Sequence, residues 1–258
     1  MTKQKPRIAF YDFACCEGCQ LMVLNLEERL LDLLAQVEVV AWREAMSGAQ
    51  EECDIAYVEG SITRKQDIPR LQKIREHAKY VVALGACAAT ACVNAIKNLH
   101  PMAVALEDVY GKDAHFFEDT IPAQPIDHFI DVDAYVYGCP IDREEFLKVT
   151  TQLLMGTKPE VPDYPLCVEC KMKGNVCVFL RGMICLGPIT RAGCGAICIT
   201  NGDRCEGCRG RISNPNERAA KEVLAEHGLT VEQIMNEFTL FQSSSEVTKN
   251  DSEERHLH

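Results

Sequence analysis

No stretch of the sequence is apolar for long enough to cross a membrane. The longest weakly polar run, from Tyr80 to Ile96, carries Gly85, Thr90 and Asn94, so it reads as a strand, a turn and a helix. The opening MTKQKPRIAFYDF has neither the basic, apolar and small-residue order of a secretory signal nor a twin-arginine start, and a cytoplasmic location is expected. Positive charge is short: 27 basic residues face 38 acidic ones, a net charge of −11. That argues against nucleic acid or an anionic membrane surface as the main partner. There is no G-x-G-x-x-G, no G-x-x-x-x-G-K-[ST] and no H-E-x-x-H, so common nucleotide and zinc-peptidase readings fall away. The seven histidines are scattered, with His256 and His258 in a polar tail, and no Ser/His/Asp or Cys/His arrangement stands out.

What the chain does have is cysteine, fifteen in 258 residues. Hydrophobic residues at 47% and charged residues at 25% match an ordinary globular protein, with room for one good core and a small second domain. Without export the thiols stay reduced, and the odd count and the adjacent Cys15 and Cys16 also oppose a disulfide framework. A reduced, cysteine-rich chain of this kind usually binds metal.

Residues 1–156 alternate short apolar runs with amphipathic stretches. Strands are expected at 7–13, 37–42, 55–59, 80–84 and 134–137, and helices at 20–35, 64–78, 88–98 and 143–155. The helix over 20–35 would present Leu21, Leu24, Leu30, Leu31 and Leu34 on one face. This order predicts an α/β fold, a doubly wound and mostly parallel sheet, with 100–129 as an insertion. Residues 157–165, with three prolines, form a semi-rigid linker. Residues 166–212 then hold eight cysteines and eight glycines without periodicity, too little apolar surface to fold unaided. Residues 213–241 return to helical patterning, broken near Gly228, and 242–258 are expected to be a mobile tail.

In a doubly wound sheet, ligands gather at the carboxyl ends of the strands. Cys16 and Cys19 follow the first strand, Cys87 the fourth and Cys139 the fifth, so four thiols from three loops should meet there. Gly60, ending the third strand, would let backbone approach a bulky group. Four converging thiolates can hold zinc or an iron–sulfur cluster, and one C-x-x-C joined by two distant cysteines suits a cubane better. Further on, Cys167, Cys170, Cys177 and Cys185 form one group and Cys194, Cys198, Cys205 and Cys208 another, the right number for two four-iron clusters. Spacing leaves crossed ligation between these two groups open. Residues 166–212 carry a net charge of +4 against −15 for the remainder, which compensates anionic clusters but equally fits a docking face for an acidic partner. Cys15, Cys53 and Cys92 are left over. Cys53 and Cys92 read as structural, and Cys15 as a spare beside Cys16 or its substitute.

The segments CEGCQ, VEGSI, LGAC and YGCPI, in this order and spacing, resemble the small subunit of nickel–iron hydrogenases. CVEC, CLGPITRAGCGAIC and CEGCRG resemble the cluster-bearing part of its cytoplasmic branch, the sulfhydrogenase-like and heterodisulfide-reductase-associated enzymes. The resemblance spans roughly residues 7–212 and implies a flavodoxin-like first domain and three 4Fe–4S clusters. It assigns Cys16, Cys19, Cys87 and Cys139 to a proximal cluster. Cys194, Cys198, Cys205 and Cys208 would hold a medial one, and Cys167, Cys170, Cys177 and Cys185 a distal one. It further implies reversible hydrogen oxidation at a nickel–iron centre in a separate large subunit, with electrons leaving through a flavoprotein, ferredoxin-like or heterodisulfide-reductase partner. Two alternatives compete with it. The cluster-bearing subunit of NADH dehydrogenases is similar over the first domain but generally lacks an eight-cysteine segment. A zinc-stabilised interaction module would use the C-x-x-C pairs as staples.

Overall fold

The structure, a computed structural model, describes residues 5–241. The sequence expectation of a mobile tail over 242–258 lies outside them. Among the described residues, seven strands run in chain order: β1 (Arg7–Asp12), β2 (Glu38–Trp42), β3 (Cys53–Glu59), β4 (Ile62–Arg64), β5 (Ala78–Leu84), β6 (Thr120–Gln124) and β7 (Ala134–Val136). Five of them form one parallel sheet in the order β2-β1-β3-β5-β7. This is the flavodoxin-like arrangement, with strand order reversing beside β1. The remaining two, β4 and β6, pair antiparallel as a separate ribbon, with β6 inside the expected insertion.

Helices cover both faces, which is why the central strands read as continuous apolar runs. The first half carries α1 (Gly18–Leu24), α2 (Glu28–Gln36), α3 (Asp67–His77), α4 (Gly85–Thr90), α5 (Met102–Tyr110) and α6 (Arg143–Leu154). One face is built on Phe10, whose ring stacks on Trp42 at 4.2 Å and on Tyr57 at 4.8 Å between centroids, with Phe146 of α6 against both Phe10 and Tyr57. Tyr57 reaches the Thr150 hydroxyl at 2.7 Å, so its one polar side-chain atom is satisfied in the core. The other face packs Ala56, Val58, Val81 and Ala83 against Leu71 and Ile74 of α3.

Two expected helices are broken. The helix over 20–35 divides into α1 and α2, because the chain passes through a positive φ of 56° at Glu27. After the turn Leu33 is buried while Leu31 stands 68% exposed, and before it Leu21 is 48% exposed, against the predicted leucine face. The helix over 88–98 ends at Thr90, turns through φ values of 59° and 49° at Ala91 and Cys92, and continues as a 3-10 helix. The crossover from β2 to β3 has no helix at all.

After residue 165 come α7 (Cys167–Met172), α8 (Ile197–Thr200), α9 (Glu217–Glu226) and α10 (Val231–Thr239). The cysteine-rich part has a core of six residues, Leu166, Val178, Cys185, Ala196, Ile199 and Cys205, two of them cysteines. Helices α9 and α10 lie on either side of Gly228 and close over Leu186 and Ile189 with Leu224, Ile234 and Phe238. Thr230 and Gln233 form a reciprocal cap at the start of α10.

Candidate metal centres

The carboxyl edge of the sheet brings the first cysteine group together through backbone turns. Gly85 opens α4 with φ +81° directly against Cys19; a Cβ there would lie 2.3 Å from the Cys19 Sγ and 3.4 Å from the Gly138 carbonyl oxygen. Glu59, the buried last residue of β3, accepts the backbone N–H groups of Cys19 at 3.1 Å and Gln20 at 3.3 Å. The loop bearing Cys16 and Cys19 is therefore tied to the end of the neighbouring strand. Burial raises the pKa of the Glu59 carboxyl, and the donors from Cys19 and Gln20 oppose the rise. Gly60 has a different role from the one its position suggests. A Cβ on it would fall 2.7 Å from the Phe13 carbonyl carbon, so it makes room for backbone of the β1 loop.

Cys92 is fully buried beside Cys87 and Cys139, and these two thiols push its pKa up. Cys92 in turn brings the Cys139 thiol down from the ordinary cysteine value to about 7. The sequence reads Cys92 as structural, whereas the structure places it inside the group. In an unbroken helix, residues five apart point about 140° away from each other. The left-handed turn at Ala91 and Cys92 undoes that separation, and the residue pattern carries no signal of it. Cys53 does stand apart, buried at the opposite, amino end of β3. In the adjacent pair, Cys15 faces Glu59 and Cys87 and burial pushes it up to about 12, whereas Cys16 is exposed.

The two later groups lie side by side. Cys167 is pushed up to about 11 by burial, with Cys185, Cys170 and Cys177 close enough to add to the shift. The backbone N–H groups of Gly187 and Cys205 both donate to the Cys185 Sγ, at 3.4 Å each. Cys208, pushed up to about 11 by burial, feels Cys194 and Cys198, and Cys198 in turn feels Cys194. Glu169 links the groups from within C-V-E-C, accepting the N–H groups of Gly193 and Gly195 at 2.8 Å each. Cys205 is buried, and both Cys185 and Cys208 are near enough to push its thiol up further.

Consecutive groups also touch. Arg209, next to Cys208, donates to the Tyr137 carbonyl two residues before Cys139, and the Cys205 amide donates to the Cys185 Sγ. All fifteen cysteines are free thiols. Most of those with a resolved shift are pushed up by desolvation, so a neutral thiol is the stable form until a metal charge displaces its proton. The donor set thus fits iron or zinc: it is rich in sulfur, buried at Cys19, Cys185 and Cys205, and ready to be deprotonated by the ion it binds. Among the described residues no three Cys, His, Asp or Glu side chains close tightly enough to enclose a single ion. A cavity of about 560 Å³ opens where the β2–β3 crossover lacks a helix, lined by Tyr11, Arg43, Arg70, Lys73 and His77, but it contains no cysteine. Among the described residues no helix is long and apolar enough to cross a membrane.

Residues 16–153 match the family described as NADH ubiquinone oxidoreductase, 20 kDa subunit. The chain is 35% identical over 222 residues to the sulfhydrogenase 2 subunit delta of Pyrococcus furiosus, covering 85% of this chain and 92% of that one. It is 31% identical over 238 residues to a subunit of the F420-non-reducing hydrogenase vhu of Methanococcus voltae, covering 80% and 83% respectively. A chain in the crystal structure of an NAD+-reducing NiFe hydrogenase in its H2-reduced state superposes with a TM-score of 0.55 at 30% identity. That superposition covers 62% of this chain and 96% of the other.

Proposed function

This chain belongs to the NADH ubiquinone oxidoreductase 20 kDa subunit family as a hydrogenase small subunit, and from that premise we propose that it wires a large subunit to an electron acceptor through three 4Fe–4S groups. When bound, such groups take up and release electrons one at a time, which lets the two electrons from hydrogen oxidation at a nickel–iron centre in the large subunit leave in sequence. Cys16, Cys19, Cys87 and Cys139 would hold the proximal group, Cys194, Cys198, Cys205 and Cys208 the medial, and Cys167, Cys170, Cys177 and Cys185 the distal. The observation that carries this reading is continuity. The Cys205 amide donates to the Cys185 thiol, and Arg209, next to Cys208, donates to the Tyr137 carbonyl two residues before Cys139, so each cysteine group neighbours the next.

The chain's residues orient and shield. Glu59 and Gly85 hold Cys19 at the sheet edge, Glu169 fixes the loop around Cys194, and burial keeps water from Cys185 and Cys205. Cys16 and Cys139 remain exposed, and the segment after Cys92 leaves Val93, Ile96 and Leu99 exposed as well. That surface suits burial beneath a large subunit. At the other end, exposed Met172, Val176 and Leu180 with Lys171 and Arg181 suit a flavoprotein, ferredoxin-like or heterodisulfide-reductase acceptor. Free thiols throughout agree with work in the cytoplasm.

The test begins with anaerobic iron, sulfide, zinc and nickel analysis of the native complex. About twelve irons and twelve sulfides per chain are expected, beside a nickel-bearing larger chain. Stoichiometric zinc with little iron or sulfide would overturn the proposal. Cys87→Ala should then abolish acceptor reduction, whereas Cys167→Ala should slow it while sparing hydrogen/deuterium exchange at the nickel–iron centre.

A further inference from the structure

Arg209 is the largest fully buried side chain of the described residues, 1% exposed, and it sits where the two halves of the chain meet. Its guanidinium uses all three nitrogens on three different segments. Nε donates to the Ala192 carbonyl at 2.9 Å, Nη1 to the Tyr137 carbonyl at 2.6 Å, and Nη2 to Glu145 Oε1 at 2.6 Å. Tyr137 precedes Cys139 by two residues, Ala192 precedes Cys194 by two, and Arg209 itself follows Cys208. One rigid fork therefore fixes the backbone beside a cysteine of the first group and beside two of the second. Glu145, on α6 of the sheet domain, is buried too, and its other oxygen has no partner. The space is built for this contact: at Gly193, φ +119°, a Cβ would lie 2.3 Å from Arg209 Nη2.

A buried arginine paired to one carboxylate is often only a structural tie, and replacing such pairs by apolar residues can cost nothing. Here two of three contacts go to carbonyls flanking candidate ligands, which an ordinary tie between domains would not require. We propose that Arg209 is a positioning residue that sets the separation of the proximal and medial groups, and so controls the rate at which electrons pass between them. The inference rests on the cluster reading above. Lysine cannot replace it, because a single ammonium cannot span three divergent acceptors as the planar fork does.

The test uses the native complex carrying Arg209→Lys, reduced anaerobically. Its iron and sulfide content and its hydrogen/deuterium exchange should match the wild type. The magnetic interaction between the two reduced groups nearest the large subunit, read by electron paramagnetic resonance, should weaken. Acceptor reduction should fall several-fold. An unchanged magnetic interaction with unchanged acceptor reduction would overturn the proposal. Should Arg209→Lys lose iron, Glu145→Gln decides instead. It keeps both carbonyl contacts and must change the interaction in the same direction but less, and no change there refutes the positioning role. A wild-type complex without iron would sink the cluster reading itself, a different failure from iron present and coupling indifferent to Arg209.

Discussion

Gly85→Ala is the sharpest single perturbation of the first cysteine group, and the structure supplies its control. Gly85 and Gly228 have nearly the same φ, +81° and +85°. A methyl group on Gly228 would meet nothing within 4 Å, whereas one on Gly85 would stand 2.3 Å from the Cys19 Sγ. Alanine at either site costs about 1–2 kcal/mol for the left-handed backbone. Each also regains about 0.4–1 kcal/mol from a less flexible unfolded chain. Gly228→Ala should thus cost between about 0 and 1.6 kcal/mol. Gly85→Ala adds an overlap that the core must absorb, about 1–3 kcal/mol more, and the atom that must yield is a candidate ligand. Anaerobic denaturant titration of both variants gives the difference, and iron analysis gives its chemical consequence. Gly85→Ala should lose about four irons while Gly228→Ala loses none. Equal midpoints for the two variants, with iron retained in both, would refute the claim that Gly85 exists to seat Cys19.

Asp142 caps α6 by accepting the Glu145 N–H at 2.9 Å, so Asp142→Ala should cost about 1 kcal/mol in denaturant titration. It should also loosen the helix that presents Glu145 to Arg209. Asp163, between α6 and α7, accepts from the Ser213 amide and hydroxyl and from Arg191, and these contacts hold its carboxyl below the usual aspartate range, the Ser213 hydroxyl contributing most. A depressed carboxylate stabilises the fold fully above its unfolded pKa of about 3.9 and loses that contribution only as pH falls through the lower folded value. The stability deficit of Asp163→Asn should therefore be small and constant between about pH 8 and pH 5. A deficit that vanishes within that range would point to a different titrating group.

The parallel sheet was legible because strands buried on both faces must be apolar throughout, and runs such as IAFY and YVVAL leave few other readings. Helices α3 and α6 were equally plain, α3 from the spacing of Ile68, Leu71 and Ile74, and α6 from its periodic run ending before Gly156. The break at Gly228 was visible for the same local reason. The split of residues 20–35 and the turn at Ala91 and Cys92 were not, because both depend on non-glycine residues held at positive φ by their surroundings.

The candidate site divides along the same line. Sequence alone supplied the thiols, their attachment to strand ends and the charge that surrounds them, since topology sends every carboxyl end of a parallel sheet to one edge. Only the tertiary structure brought Cys92 against Cys87 and Cys139, turned Cys15 inward, and joined the two halves through Arg209, Tyr137 and Glu145. The contacts of Arg209 join residues 64 and 72 positions apart, and that of Cys92 hangs on one backbone turn, and neither leaves a periodic trace in the chain. A guanidinium reaching a carbonyl is invisible in sequence because every residue offers the same carbonyl.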